Sequence, residues 1–99
     1  MRIFDIMEYD HCYTPIILSQ HSGVRIQDIW YLLNVLEAQG LIVRIKLKYR
    51  NKTYFLKPRP NENYDLEKIK EAIEKVVREK RANIIILKDT EETTNQNNT

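Results

Sequence analysis

The chain has 99 residues, 42% of them hydrophobic and 30% charged, with a formal net charge of +2. That length holds one small domain with little more than a single core, and its longest aliphatic run, Ile84 to Leu87, is far short of the ~20 residues a bilayer span requires. A lone cysteine, Cys12, excludes an internal disulfide and fits a reduced, intracellular setting, and the acids within MRIFDIMEYD argue against a secretory signal.

In chain order, Arg2 to Tyr9 fits a short first helix with Ile3, Ile6 and Met7 inward and Phe4 on the flank, and Asp10 to Tyr13 reads as a connection. Thr14-Pro15 is a sound helix start, since threonine caps and proline has no N–H to leave unpaired. A second helix is expected from Pro15 to about Gln20, burying Ile17 and Leu18, with Ser19 small enough for close approach to the next helix. Gly23 and Gly40 are the only glycines. They bracket a third helix, expected over 25–39, whose apolar stripe is Val24, Ile29, Leu32, Leu33 and Leu36. Glycine suits both joints because it takes positive φ without steric cost. Arg25 is a poor cap, which Asp28 partly compensates.

Beyond Gly40 the period becomes two. Leu41, Val43, Ile45, Leu47 and Tyr49 alternate with Ile42, Arg44, Lys46, Lys48 and Arg50, the pattern of a half-buried strand with a basic outer face. The returning strand places Tyr54 and Leu56 inward and Phe55 on the basic face, covered by the C-terminal helix or exposed. A two-residue turn at Arg50-Asn51 pairs Leu47 with Tyr54 and Ile45 with Leu56, and a four-residue loop preserves the same facing. The tip, Lys48 to Lys52, is expected to project, and Pro58 and Pro60 end the hairpin. Residues 41–60 carry Arg44, Lys46, Lys48, Arg50, Lys52, Lys57 and Arg59 with no acid. So concentrated a field predicts a polyanionic partner better than the total charge does.

Asp65 to about Asn83 is a strong helical pattern, with Leu66, Ile69, Ile73, Val76 and Val77 on one stripe and polar pairs such as Glu74–Arg78 at helical spacing. Ile84 to Leu87 suits either an extension of that helix or a β-branched strand. Residues 90–99, without an apolar side chain, read as a disordered polar tail. The expected organisation is a domain over 1–60, a C-terminal helical extension over 61–89 and the tail.

Leu18, Ser19, Gly23, Val24, Ile29, Leu33 and the run Leu36-Glu37-Ala38-Gln39-Gly40-Leu41 resemble the helix-turn-helix of winged-helix transcription regulators. Ser22 and Arg25 depart from that pattern, at an aliphatic and a Ser/Thr cap position. Trp30, seven residues after the turn glycine, looks like the tyrosine of PadR-type regulators, and small winged-helix proteins of archaea and their viruses are similar in size and composition. The resemblance implies an α+β winged helix-turn-helix: three N-terminal helices, a β-hairpin wing and a C-terminal helix. PadR-type regulators dimerise through that last helix, which implies a homodimer contact made by Leu66, Ile69, Ile73, Val76, Val77, Ile84 and Leu87, with two reading helices about 34 Å apart.

The expected function is a sequence-specific, double-stranded DNA-binding regulator, a dimeric repressor acting in the cytoplasm on nucleoid or viral DNA, with no membrane partner. A reading helix over 25–39 presents Arg25, Ile26, Gln27, Trp30, Tyr31 and Asn34 to base edges: arginine suits guanine, glutamine and asparagine suit adenine, and isoleucine suits a thymine methyl. The basic wing over 44–54 sets Arg44, Lys46, Lys48, Arg50 and Lys52 on phosphates or the minor groove, and Thr14 offers its hydroxyl to a phosphate. Against these stand plainer roles: Trp30 as packing, the cations as a solvated edge, His21 as a surface residue. One alternative is a winged-helix protein-interaction module using Ile26, Trp30 and Tyr31 without specific DNA binding. Another is non-specific duplex or RNA binding by the wing alone. No enzymatic arrangement is legible: there is no glycine-rich phosphate loop, and His11, Cys12 and His21 lack the partners of a metal site. No catalytic residue, metal or cofactor is expected.

Overall fold

Tyr54, Phe55 and Leu56 are successive residues of one strand, and all three are fully buried. Alternate side chains of a strand point to opposite faces, so a strand buried without a break must be covered on both. The computed structural model describes residues 3–87 and shows how. Helices α1 (Ile3–Ile6), α2 (Pro15–Ser22), α3 (Ile26–Ala38) and α4 (Leu66–Glu79) accompany strands β1 (His11–Tyr13), β2 (Val43–Lys46), β3 (Thr53–Leu56) and β4 (Ile84–Ile86). The strands form one antiparallel sheet in the order β2-β3-β1-β4. This is an α+β domain with helices on both faces of the sheet.

On one face Phe55 and Tyr13 meet Ile3, Met7, Leu18, Ile29, Leu33 and Ile42, so α1, α2 and α3 share a core. On the other, Tyr54 and Leu56 join Ile45, Leu47, Cys12, Ile85 and Leu87 beneath Ile73 and Val77 of α4. The helix ends follow local chemistry. Thr14 caps α2, its side chain accepting from the Ile17 N–H, and Asp65 caps α4 by accepting from Lys68. Gly23 and Gly40 take φ of 75° and 76° with open space where a Cβ would stand, so only backbone conformation selects glycine there.

Several expectations change. The segment read as a connection holds β1, which pairs with β3 on one side and β4 on the other. Three residues are too few to display a period, and only long-range pairing makes them a strand. The first helix is shorter than expected. Lys57, buried against Phe4 and Tyr9, donates from Nζ to the carbonyls of Phe4 and Met7 where the helix ends. The hairpin keeps Tyr54 and Leu56 facing one way but with the longer loop: Ile45 lies opposite Tyr54, Val43 opposite Leu56, and the Leu47 N–H reaches the Lys52 carbonyl. Phe55, expected under the C-terminal helix or exposed, is buried beneath α1, α2 and α3 instead. The alternation also breaks at its start, where Leu41 is exposed and Ile42 buried.

The largest correction is C-terminal. Ile73, Val77 and Leu87 are spent on this chain's own sheet and are not available to a second copy, with Ile69 and Val76 packed beside them. Ile84 packs at the margin of the other core, and Leu66 is exposed. Residues 84–86 form a strand, not a helical extension, and β4 ties the C-terminal part to the sheet, so the expected boundary after residue 60 does not divide the core. The expected tail over 90–99 lies outside the described residues.

Candidate nucleic-acid interface

The turn between α2 and α3 is held by its own side chains. Ser19 Oγ donates to the Val24 carbonyl at 2.6 Å, Ser22 Oγ accepts from the Val24 N–H at 3.1 Å, and the Gly23 N–H closes α2 on the Ser19 carbonyl. The small Ser19 is therefore a tie as well as a spacer. Helix α3 starts at Ile26 with Arg25 at the cap position making no side-chain cap bond; Asp28 takes the Arg25 guanidinium instead, at 3.2 Å. Both side chains are well exposed, so the pair is weak.

Ile29 and Leu33 hold α3 on the core. Arg25, Ile26, Gln27, Tyr31 and Asn34 face solvent, and Tyr31 at 68% is the most exposed large hydrophobic side chain among the described residues. Trp30 is only partly exposed. It meets Phe55 edge-on, ring centroids 5.8 Å apart at 75°, which is a packing role.

Arg44 joins α3 to the hairpin. Its guanidinium bonds Glu37 Oε1 at 2.9 Å and Asn34 Oδ1 at 2.5 Å, and lies 5.2 Å from the Phe55 ring centroid and 5.9 Å from that of Trp30. Two residues expected to contact DNA thus bind each other, and the carboxylate of Glu37 offsets the charge of Arg44. Neither the partnership nor the part of Glu37 in it is visible in the sequence, because a turn and a change of element separate the two residues.

Thr14 is also placed otherwise than expected. It is buried, accepting from the Ile17 N–H and donating to Asn83 Oδ1, both at 3.3 Å, so its hydroxyl is withheld from a phosphate. Lys57 and Arg59 leave the basic field as well. Lys57 closes α1, and Arg59 pairs with Asp10 at 2.8 Å, where Tyr64 also donates to the same carboxylate at 2.5 Å. Burial, with the bond to Asp10 adding to it, pushes the Tyr64 phenol up to about 12, so it stays a donor at neutral pH.

What remains of the basic set is Lys46, Lys48, Arg50 and Lys52, with no carboxylate partner among the described residues. Lys46 shares a sheet face with Arg44, the face that carries α3. The tip does not project freely. Glu74 of α4 accepts from the Lys48 N–H at 3.0 Å, and the Arg78 guanidinium lies 4.7 Å from the Tyr49 ring, on which Arg50 also stacks. The loop turns through left-handed conformations at Arg50 and Asn51, with φ of 58° and 52°. Helix α4, expected as a dimer contact, is a buttress for the hairpin tip.

Cys12 is fully buried, and that burial, with the charge of Asp10 adding to it, raises its thiol to about 12. An intermolecular bridge through it would require the core to open. Between α1 and α3 runs an apolar groove of about 380 Å³ lined by Ile3, Phe4, Leu32, Val35, Leu36 and Leu41, with Asp5 and Gln39 at its polar margin. No helix among the described residues is long and apolar enough to cross a membrane. Comparisons with protein-family models, with curated proteins and with solved structures find no match.

Proposed function

We propose that this chain is a winged helix-turn-helix protein that binds double-stranded DNA and reads its sequence as a transcriptional regulator, a repressor. The observation that carries the reading is the joint between α3 and β2: Arg44 and Lys46 lie on the side of the sheet that carries α3, and Arg44 bonds Asn34 and Glu37 of that helix. The order helix, strand, two helices around a glycine turn, then a basic hairpin supports the same view.

In this reading α3 enters the major groove. Arg25, Gln27, Ile26 and Tyr31 meet base edges, while Lys46, Lys48, Arg50 and Lys52 grip phosphates. Arg44 and Asn34 hold the helix and hairpin in register, and Trp30 supports that joint from below. The work is done in the cytoplasm, where duplex DNA is the ligand. The apolar groove between α1 and α3 supports a second reading, a protein-docking module.

Selection of bound sequences from a random duplex pool, followed by binding across a salt series, tests this. A regulator enriches one sequence and loses affinity steeply with salt. Replacing Arg25 and Gln27 with alanine removes the preference, whereas replacing Lys48, Arg50 and Lys52 weakens every duplex and flattens the salt slope by about one unit per lost phosphate contact. Salt-insensitive behaviour with no enriched sequence favours the docking reading and overturns this one.

A further inference from the structure

The two edges of the sheet are built differently. On β2 the Ile45 and Leu47 backbones bond inward to β3, and the residues whose amides turn outward, Arg44 and Lys46, are cationic. Charge at an edge deters pairing with a second chain. On β4 the register with β1 is fixed by the Thr14 N–H on the Asn83 carbonyl and the Leu87 N–H on the Asp10 carbonyl, which makes Cys12 and Ile85 a mutually bonded pair. The amides and carbonyls of Ile84 and Ile86 therefore point away from the sheet. The described strand itself carries no charge: it is three isoleucines, and the last is 37% exposed.

We propose that β4 pairs antiparallel with β4 of a second copy of this chain, joining two sheets into one of eight strands. The strand complements itself. A two-fold axis at Ile85 sets Ile84 opposite the partner's Ile86 and Ile86 opposite the partner's Ile84. Each outward N–H then meets an outward carbonyl, and like faces stay together. Ile85 meets its own copy across the axis, on the face already covered by α4. The dimer forms by strand addition, not by the helix packing expected of α4, whose apolar stripe is consumed within the chain. It goes beyond the DNA reading and does not depend on it.

Sedimentation velocity of the full chain over roughly three decades of concentration, with amide exchange read by NMR at both ends of that range, tests the pairing. A monomer–dimer transition is expected, with the Ile84 and Ile86 amides becoming protected as concentration rises and the Ile85 amide, bonded to β1, protected throughout. Ile84→Pro removes an outward donor without touching the β1 ladder, and Ile86→Lys puts a charge on the bare edge. Each is expected to abolish the dimer while circular dichroism and Ile85 protection persist, and if the proline variant unfolds the lysine variant decides alone. A monomer at every concentration overturns the proposal, as does a dimer indifferent to Ile86→Lys. Protection of Ile84 and Ile86 at the lowest concentration also overturns it, because the edge is then covered within one chain.

Discussion

The two faces of β3 make different use of the same strand. Phe55 looks toward α1, α2 and α3, where its ring supports Trp30 and the Arg44 guanidinium that ties α3 to the hairpin. Tyr54 and Leu56 look toward α4, whose Glu74 and Arg78 hold the hairpin tip. One face sets where the exposed helix lies against Arg44 and Lys46, and the other holds the hairpin tip from Lys48 to Asn51. A four-residue strand at their boundary keeps the two surfaces in fixed relation.

Truncation in the two cores is the strongest way to separate these roles. Phe55→Ala is expected to cost about 3–5 kcal/mol and Ile73→Ala about 2–5 kcal/mol, because both leave cavities in closely packed surroundings, and urea denaturation measures each. Among molecules that remain folded, Phe55→Ala is expected to lose sequence preference. Ile73→Ala is expected to keep that preference while losing affinity for all duplexes. The same binding defect in both variants would show that the faces do not divide the work.

Charge at the joint gives a smaller and more specific effect. Glu37→Gln breaks a half-exposed ion pair worth no more than about 1 kcal/mol, but it leaves Arg44 uncompensated beside α3. Affinity for duplexes in general is expected to rise, with a salt slope steeper by about one unit. An unchanged slope would mean that Arg44 stays bound within the protein. On the other face, Glu74→Ala is expected to cost about 1 kcal/mol and to speed exchange of the Lys48 amide, while the sequence preference proposed for α3 is expected to be retained.

The smallest effect is a pH dependence. Burial pushes the Cys12 thiol up to about 12 from an ordinary value of 9.0, and the Tyr64 phenol up to about 12 from 10.0. Both acids are raised by folding, so the folded state holds its protons longer than the unfolded chain does. Their contribution is complete below the unfolded values and is lost as pH rises toward the folded ones. Stability is therefore expected to fall between about pH 9 and pH 12. Cys12→Ala flattens the lower part of that decline, and Tyr64→Phe the upper. Thiol reagents at neutral pH are expected to label Cys12 only when the core opens.

Much of this was legible from local chemistry. Gly23 and Gly40, the Thr14-Pro15 start, the Asp65 cap and the apolar stripes of α3 and α4 identify those helices before any packing is known. The alternation after Gly40 identifies β2 and the facing of the hairpin. The candidate surface was legible in part: Arg25, Ile26, Gln27 and Tyr31 are exposed on α3, and Lys46, Lys48, Arg50 and Lys52 remain available on the hairpin. Thr14 is buried and Trp30 only partly exposed, because whether a hydroxyl or a ring is available depends on Asn83 and Phe55, residues far along the chain.

By itself the sequence determined where the chain bends, which stretches are helical and where positive charge collects, since each follows from backbone sterics and periodicity within a few residues. Tertiary structure alone decided that His11–Tyr13 is a strand, that α4 folds back on its own sheet, and that Arg44 is bound to Glu37 and Asn34. Those outcomes depend on which distant surfaces meet: a strand exists only through its partners, an apolar stripe accepts any apolar surface, and an arginine goes to the carboxylate that the fold brings within reach.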